Sequence, residues 1–157
     1  MIQPATASAI RALATNHASA TSPSFGIDAA IAPPDVLGML ADLAASIEPC
    51  FAPAAWWMLD DDGHAVGLCS ITRLPVRGEV KIGYGIAPAH HGRGIATRAI
   101  AELVRWARRD SRVTRITAET SVDNIASQRV LERNAFTVVA NRIDAEDGEL
   151  LCWELPV

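Results

Sequence analysis

The sequence predicts one α/β domain, a mixed sheet with helices on both faces. Three observations lead there. Helix-like and strand-like runs follow one another as helix, hairpin, strand, helix, strand, helix, hairpin. The stretch Asp60-Asp61-Asp62-Gly63 separates two apolar runs of strand length. Residues 79–109 read as a strand, a glycine-containing turn and an amphipathic helix in direct succession.

In chain order, residues 1–30 carry the least pattern. Alanine, serine and threonine dominate; a short helix or first strand is expected around Ile10–Thr15, and Ser22-Pro23-Ser24 reads as a loop. A helix is expected from Pro33. Pro34 suits its first turn, Val36, Leu37, Leu40, Leu43, Ala44 and Ile47 form one stripe, and Pro49 ends it. Ala54–Leu59 and His64–Thr72 are the arms of a hairpin, because Asp and Gly tolerate the positive φ angles of a tight turn. Three adjacent aspartates also resemble a metal loop. No carboxylate follows at calcium-loop spacing, so the turn reading is preferred and no metal is expected. Leu74–Gly78 turns the chain into a strand over Glu79–Ile86, with Val80, Ile82, Tyr84 and Ile86 on one face and Glu79 and Lys81 on the other. Tyr84 is read as core.

After the loop Ala87–Gly92, a helix places Ala96, Ile100, Leu103, Val104 and Ala107 on one stripe, with Arg98, Glu102, Arg105 and Arg109 opposite. Val113–Thr120 is a strand with Ile116 and Ala118 inward. Asp123-Asn124 caps a short helix running through Arg133, with Ile125, Ala126, Val130 and Leu131 toward a core. Phe136–Ala140 and Leu150–Leu155 close the sheet across an acidic loop, Asp144–Gly148.

Composition narrows the function. A length of 157 residues suits a single domain over residues 1–157 with one substantial core. No apolar run approaches the ~18–20 residues of a membrane span, and the first twenty residues lack the basic start and apolar centre of a signal peptide. A cytoplasmic protein is expected. Cys50, Cys69 and Cys152 are odd in number and far apart, which suits reduced thiols better than a disulfide or zinc site. The net charge of −4 argues against general nucleic-acid binding and permits a cationic substrate. Lys81 is the sole lysine. His17 and His64 read as surface residues, and the adjacent His90 and His91 are not expected to converge on one metal. Trp56, Trp57, Trp106 and Trp153 fit the core, an acceptor pocket or a subunit contact.

Gly92-Arg93-Gly94 stands at the helix entry. The first N–H groups of a helix have no internal partner, and the helix dipole places about half a positive charge there. Glycines let phosphate oxygens approach those amides, and Arg93 would add a cation. A dinucleotide-binding oxidoreductase is one reading, with Glu119 ending the next strand. Thr97 occupies the third-glycine position, however, and too few strands follow.

Two motifs carry a resemblance. One is Ile86-Ala87-Pro88-Ala89-His90-His91-Gly92-Arg93-Gly94-Ile95-Ala96-Thr97; the other runs from Asp123-Asn124 through Ser127 to Ala135-Phe136. With the helix and strand between them, the chain resembles the GNAT superfamily of acetyl-CoA-dependent N-acetyltransferases over about residues 54–140. Within it, the chain is most similar to the ribosomal-protein alanine N-acetyltransferase type.

The resemblance implies a mostly antiparallel sheet of six to seven strands, splayed between the strand ending at Ile86 and Val113–Thr120. It implies acetyl-CoA as co-substrate and an amine acceptor, either a protein N-terminus or a small amine. No membrane or nucleic-acid partner is implied, relatives often form homodimers, and residues 1–50 would be the variable acceptor-side region. The pyrophosphate would lie on His91, Gly92, Arg93, Gly94, Ile95, Ala96 and Thr97. The Ile86 backbone would pair with the pantetheine arm, and Asn124 and Ser127 would contact it from the other side. Three positions depart from the family pattern. His91 replaces an Arg or Gln, Leu131 stands where many relatives carry an acidic tyrosine, and Ala135 stands where glycine is usual. If Ala135 is left-handed it would cost on the order of 1 kcal/mol, unless Asn134 takes the strain.

Acetyl transfer needs a neutral amine. Freeing one of pKa ~10.4 at pH 7 costs about 4–5 kcal/mol, against ~1.4 for an α-amine. Glu79, Glu119 or water alone are the candidate bases, and Ser127 is a candidate donor to the leaving thiolate. A module that binds acyl-CoA without transferring it is the other alternative.

Overall fold

The computed structural model describes residues 1–15 and 26–157. His17 and Ser22-Pro23-Ser24 therefore lie outside the described residues. The elements are β1 (Ile2–Pro4), α1 (Ala7–Ala14), α2 (Pro34–Ile47), β2 (Ala55–Leu59), β3 (Ala65–Ile71), β4 (Glu79–Ile86), a 3-10 turn (Pro88–His90), α3 (Ile95–Ala107), β5 (Arg115–Ser121), α4 (Ile125–Arg133), β6 (Thr137–Asp144) and β7 (Gly148–Pro156). One sheet of seven strands runs β1-β2-β3-β4-β5-β7-β6. Among the strands of the described residues only β4 and β5 pair in parallel, and every other neighbouring pair is antiparallel. That sheet is not the doubly wound parallel one on which a dinucleotide-binding oxidoreductase depends.

Every residue of β2 and β3 is buried, so both of their faces are covered. On one face Trp106 of α3 tilts against Trp56 of β2, with ring centroids 4.7 Å apart, and meets Phe51 edge-on at 6.3 Å. Trp56, Trp57 and Trp153 are buried, and Trp106 is half-buried. α1 and α2 pack on each other, and α2 reaches β3. β5 behaves differently: Ile116, Ala118 and Thr120 are buried while Arg115 is exposed and Thr117, Glu119 and Ser121 are half-covered. Over β4 and β5 the sheet thus has one packed face and one open, polar face.

The expected helix stripes need correction. In α3 the buried set is Ile95, Ala99, Ile100, Leu103, Val104 and Ala107, and Ala96 is only partly covered. In α4 only Leu131 is buried; Ile125 and Ala126 are exposed, because this helix lies along a cleft and needs only a narrow apolar edge. The Asp60–Gly63 turn forms as expected: Asp60 Oδ1 accepts from the N–H groups of Asp62 (3.0 Å) and His64 (2.9 Å). Asp60, Asp62 and His64 offer ligand atoms within 4.8 Å of one another, though the turn's own amides already engage the Asp60 carboxylate. Cys50 is exposed, Cys69 buried and Cys152 half-buried, all as free thiols. Among the described residues no helix is long and apolar enough to cross a membrane.

Candidate active site

The strand registers themselves open a gap in the sheet. β4 meets β5 only through Glu79–Ile82 against Arg115–Ala118. Beyond Ile82, β4 stays with β3 (Gly83↔Ser70 to Ile86↔Gly67), while beyond Ala118, β5 stays with β7 (Glu119↔Cys152 to Ser121↔Leu150). The expected splay is present. The Lys81 carbonyl accepts from Thr72 N–H and the Ala87 N–H donates to the Val66 carbonyl, both at 2.8 Å. Main-chain groups alternate sides along a strand, so those of Tyr84 and Ile86 aim into the gap. β3 and β4 approach so closely here that a Cβ on Gly67 would lie 2.6 Å from the Gly85 carbonyl oxygen.

Past Ile86 the chain turns toward α3. Gly92 (φ +74°) and Gly94 (φ +71°) are left-handed, a conformation that costs other residues about 1–2 kcal/mol. A Cβ on Gly92 would meet nothing within 4 Å, so the requirement is conformational, not steric. Among the described residues no protein group accepts from the N–H groups of Gly92, Arg93, Gly94, Ile95 or Ala96. The His91 amide differs, donating to the Pro88 carbonyl at 3.2 Å. The His91 ring enters the gap instead and donates from Nε2 to the Ile86 carbonyl at 2.8 Å. The two histidines diverge. The His90 Nδ1 accepts from Arg93 at 3.1 Å while its Nε2 faces Asp28 at 3.3 Å.

These elements wall a cavity of about 510 Å³. It is lined by Ile86, His91, Gly92, Gly94, Ile95, Ala96, Thr97, Asn124 and Ser127. Of the residues picked out for the cofactor, only Arg93 is absent from the lining, since His90 holds its guanidinium. The cations that do face the cavity are Arg129 and Arg133 of α4, neither of which pairs with a carboxylate among the described residues. Sequence reasoning missed both. They stand one helical turn apart on the side of Ala126 and Val130, a face that the apolar pattern had assigned to a core. Asn124 Oδ1 caps α4 by accepting from Ser127 N–H at 3.1 Å. The orphan amides, the two left-handed glycines and the cationic rim form a fitting cradle for a diphosphate.

A second cavity of about 410 Å³ opens on the polar face and contains Lys81, Gly83, Glu119 and Asp147. The two cavities share Tyr84, Asn124 and Ser127 and so meet in the gap. Tyr84 is partly buried and packs against the core, as expected, but its hydroxyl reaches the cavities and donates to the Ser127 carbonyl at 3.1 Å. Burial pushes its phenol pKa up, against that hydrogen bond. Leu131, in the position where a tyrosine was looked for, is fully buried.

The candidate carboxylates are both engaged. Glu79 lines neither cavity; it is ion-paired with Arg73 and with Arg115 (2.7 Å). Burial raises its carboxyl, but the hydrogen bonds from Arg73 and Arg115 outweigh that and hold it below its ordinary value. Glu119 lines the second cavity, where the Arg142 fork holds it down to about 2 against burial, and Lys81 adds to the effect.

Known proteins share this fold. The ribosomal-protein-serine acetyltransferase of Escherichia coli (strain K12) is 29% identical over 84 residues, covering 53% of this chain and 47% of that protein. Two Bacillus subtilis relatives are likewise matched over 40% and 42% of their length, so the alignment spans less than half of these curated relatives. The ribosomal-protein-S5-alanine acetyltransferase from Vibrio fischeri superposes with a TM-score of 0.68 at 17% identity, covering 99% of this chain and 91% of that one. The microcin C7 self-immunity acetyltransferase MccE, solved with acetyl-CoA and AMP, gives 0.66 at 17% identity over 80% and 73% of the two chains. Such identities speak for the fold alone. The family model described as the acetyltransferase (GNAT) domain matches residues 38–137, the span that contains the gap, the loop and the asparagine-capped helix, and the chain belongs to that family.

Proposed function

We propose that this protein is an acetyl-CoA-dependent N-acetyltransferase acting on a primary amine. One observation carries the reading: the unpartnered amides of Gly92–Ala96 and the parted strands β4 and β5 open onto the same cavity. Acetyl-CoA supplies an acyl group activated as a thioester. The loop amides and Arg129 and Arg133 would bind its phosphates, and the main-chain groups of Tyr84 and Ile86 would pair with its arm. The His91 ring must leave the Ile86 carbonyl for that pairing to form.

The acceptor enters from the polar-face cavity and meets the acyl carbon near Tyr84, Asn124 and Ser127. With Glu79 outside both cavities and Glu119 held by cations, neither carboxylate is a ready proton acceptor, and water in the open cavity takes the ammonium proton. This favours an acceptor whose amine is already partly neutral, such as a protein N-terminus. Ser127 donates to the departing sulfur, and Tyr84 fixes Ser127 through its carbonyl. The free thiols, exposed Cys50 included, suit a reducing cytoplasm. β6, at the sheet edge, exposes Val138, Val139 and Ile143, an apolar strip for the homodimer that the resemblance allows; sedimentation checks it.

The test is release of free thiol from acetyl-CoA across a panel of peptides and small amines, beside calorimetric titration of CoA. Binding without thiol release for any amine would favour a binding module. Glu79→Gln and Glu119→Gln should leave the pH profile of kcat in place, and Ser127→Ala should lower kcat more than KM.

A further inference from the structure

We infer that Glu119, fixed by Arg142, is a subsite for an alkylammonium group, and that Lys81 fills it as an internal stand-in until such a ligand arrives. That this ligand is an acceptor for acetyl transfer rests on the proposed function; the subsite itself does not.

Glu119 is the first residue of β5 beyond the last pairing with β4, so it stands where the strands part. Two cations reach it. Arg142 grips both oxygens, Nε to Oε1 at 2.9 Å and Nη2 to Oε2 at 2.7 Å, and its remaining Nη1 pairs with Asp144 at 2.7 Å. A planar fork held at three points orients the carboxylate and does not readily leave. Lys81 makes a single contact, Nζ to Oε1 at 2.9 Å, from a flexible four-carbon stem. The side chains of Lys81 and Glu119 are only 22% and 21% exposed, so the carboxylate needs a counter-charge. Any alkylammonium that replaces Lys81 restores the same charge pairing on the carboxylate.

The surroundings favour such a visitor. Asp147 lines the same cavity with no cation on its carboxylate among the described residues, and Asp144 neutralises Arg142. Carboxylates therefore outnumber the cations left to balance them. Gly83, with no side chain, lies in this cavity, which continues to Tyr84 and Ser127. A ligand with an ammonium on Glu119 could present a second amine in the gap. Small aliphatic diamines and peptides carrying a lysine near a free N-terminus share that chemistry.

Because Lys81 is the only lysine in the chain, selective lysine labelling yields one side-chain resonance. Titration of 1,4-diaminobutane into the CoA-loaded protein at constant ionic strength should move that resonance saturably toward free lysine. Neutral 1,4-butanediol and added NaCl should not. Ala-Lys amide set against Ala-Leu amide separates a peptide source from a small diamine. In the thiol assay Lys81→Met, which removes the internal competitor, should lower the KM of the responding cation about fivefold, the effect of ~1 kcal/mol. Glu119→Gln should raise it. A lysine signal that stays still with every cation, or moves equally with NaCl, overturns the subsite whether or not thiol is released. Absent thiol release with a saturable lysine shift would instead remove the transferase reading and leave the subsite standing.

Discussion

Substituting Ala135 by glycine should stabilise the protein. α4 ends in a pair of reverse bonds, Ala135 N–H to the Glu132 carbonyl at 3.0 Å and Phe136 N–H to the Leu131 carbonyl at 3.1 Å. That pattern requires a left-handed residue at the first position past the cap, and Ala135 has φ +64°. Asn134 does not take the strain. Its φ is −101°, and its side-chain amide donates to the carbonyls of Val130 (2.8 Å) and Thr97 (3.1 Å), tying the end of α4 to α3. The left-handed conformation costs alanine about 1–2 kcal/mol, and the greater freedom of glycine in the unfolded chain takes back about 0.5–1. Ala135 is exposed, so its methyl contributes no burial. The net gain is about 0.5–1 kcal/mol, or roughly 1–4 °C in Tm for a chain of this size. Calorimetry and urea unfolding read it. Gly148 (φ +73°), where an added Cβ meets nothing within 4 Å, supplies the mirror experiment, and Gly148→Ala should lower Tm by a similar amount. An A135G variant no more stable than the parent, or two substitutions that move Tm the same way, would refute the reasoning.

Gly94→Ala should cost about 1 kcal/mol of folding stability from left-handed strain, because its nearest neighbour, Arg98 Nη1, is 3.7 Å away and no clash is added; urea unfolding measures this. Arg129→Ala and Arg133→Ala should each weaken acetyl-CoA binding about three- to tenfold, more at low salt, whereas Arg93→Ala should change it little; titrations at two ionic strengths compare them. Glu119 has a folded pKa of about 2, below that of the unfolded chain, so it contributes stability that is full above about pH 4.5 and is lost as pH falls toward 2. Glu119→Gln should therefore be less stable than the parent near pH 7, with the two converging near pH 2 in acid-unfolding curves.

Local pattern made much of this fold readable. The alternation Val80-Ile82-Tyr84 gave β4 its bounds, the Asp-Gly turn gave the hairpin, and glycines at a helix entry marked the anion loop. What stayed hidden depends on partners distant in the chain. β1 has three residues and exists by pairing Ile2, Gln3 and Pro4 with Met58, Trp57 and Trp56, more than fifty positions away. Arg129 and Arg133 look like any solvated helix arginines until α4 is laid across the gap. Glu119 reads as a free carboxylate until Arg142, twenty-three residues later, closes on it. Periodicity says which face of an element is apolar; it does not say which polar face meets a cavity.

The short parallel ladder has a mechanical consequence. Four residue pairs, Glu79–Ile82 against Arg115–Ala118, make up the whole strand ladder that joins β1–β4 to β5–β7 along this seam. A molecule wedged there acts as a missing rung, so its arrival should slow amide exchange in both blocks together rather than only at its own contacts.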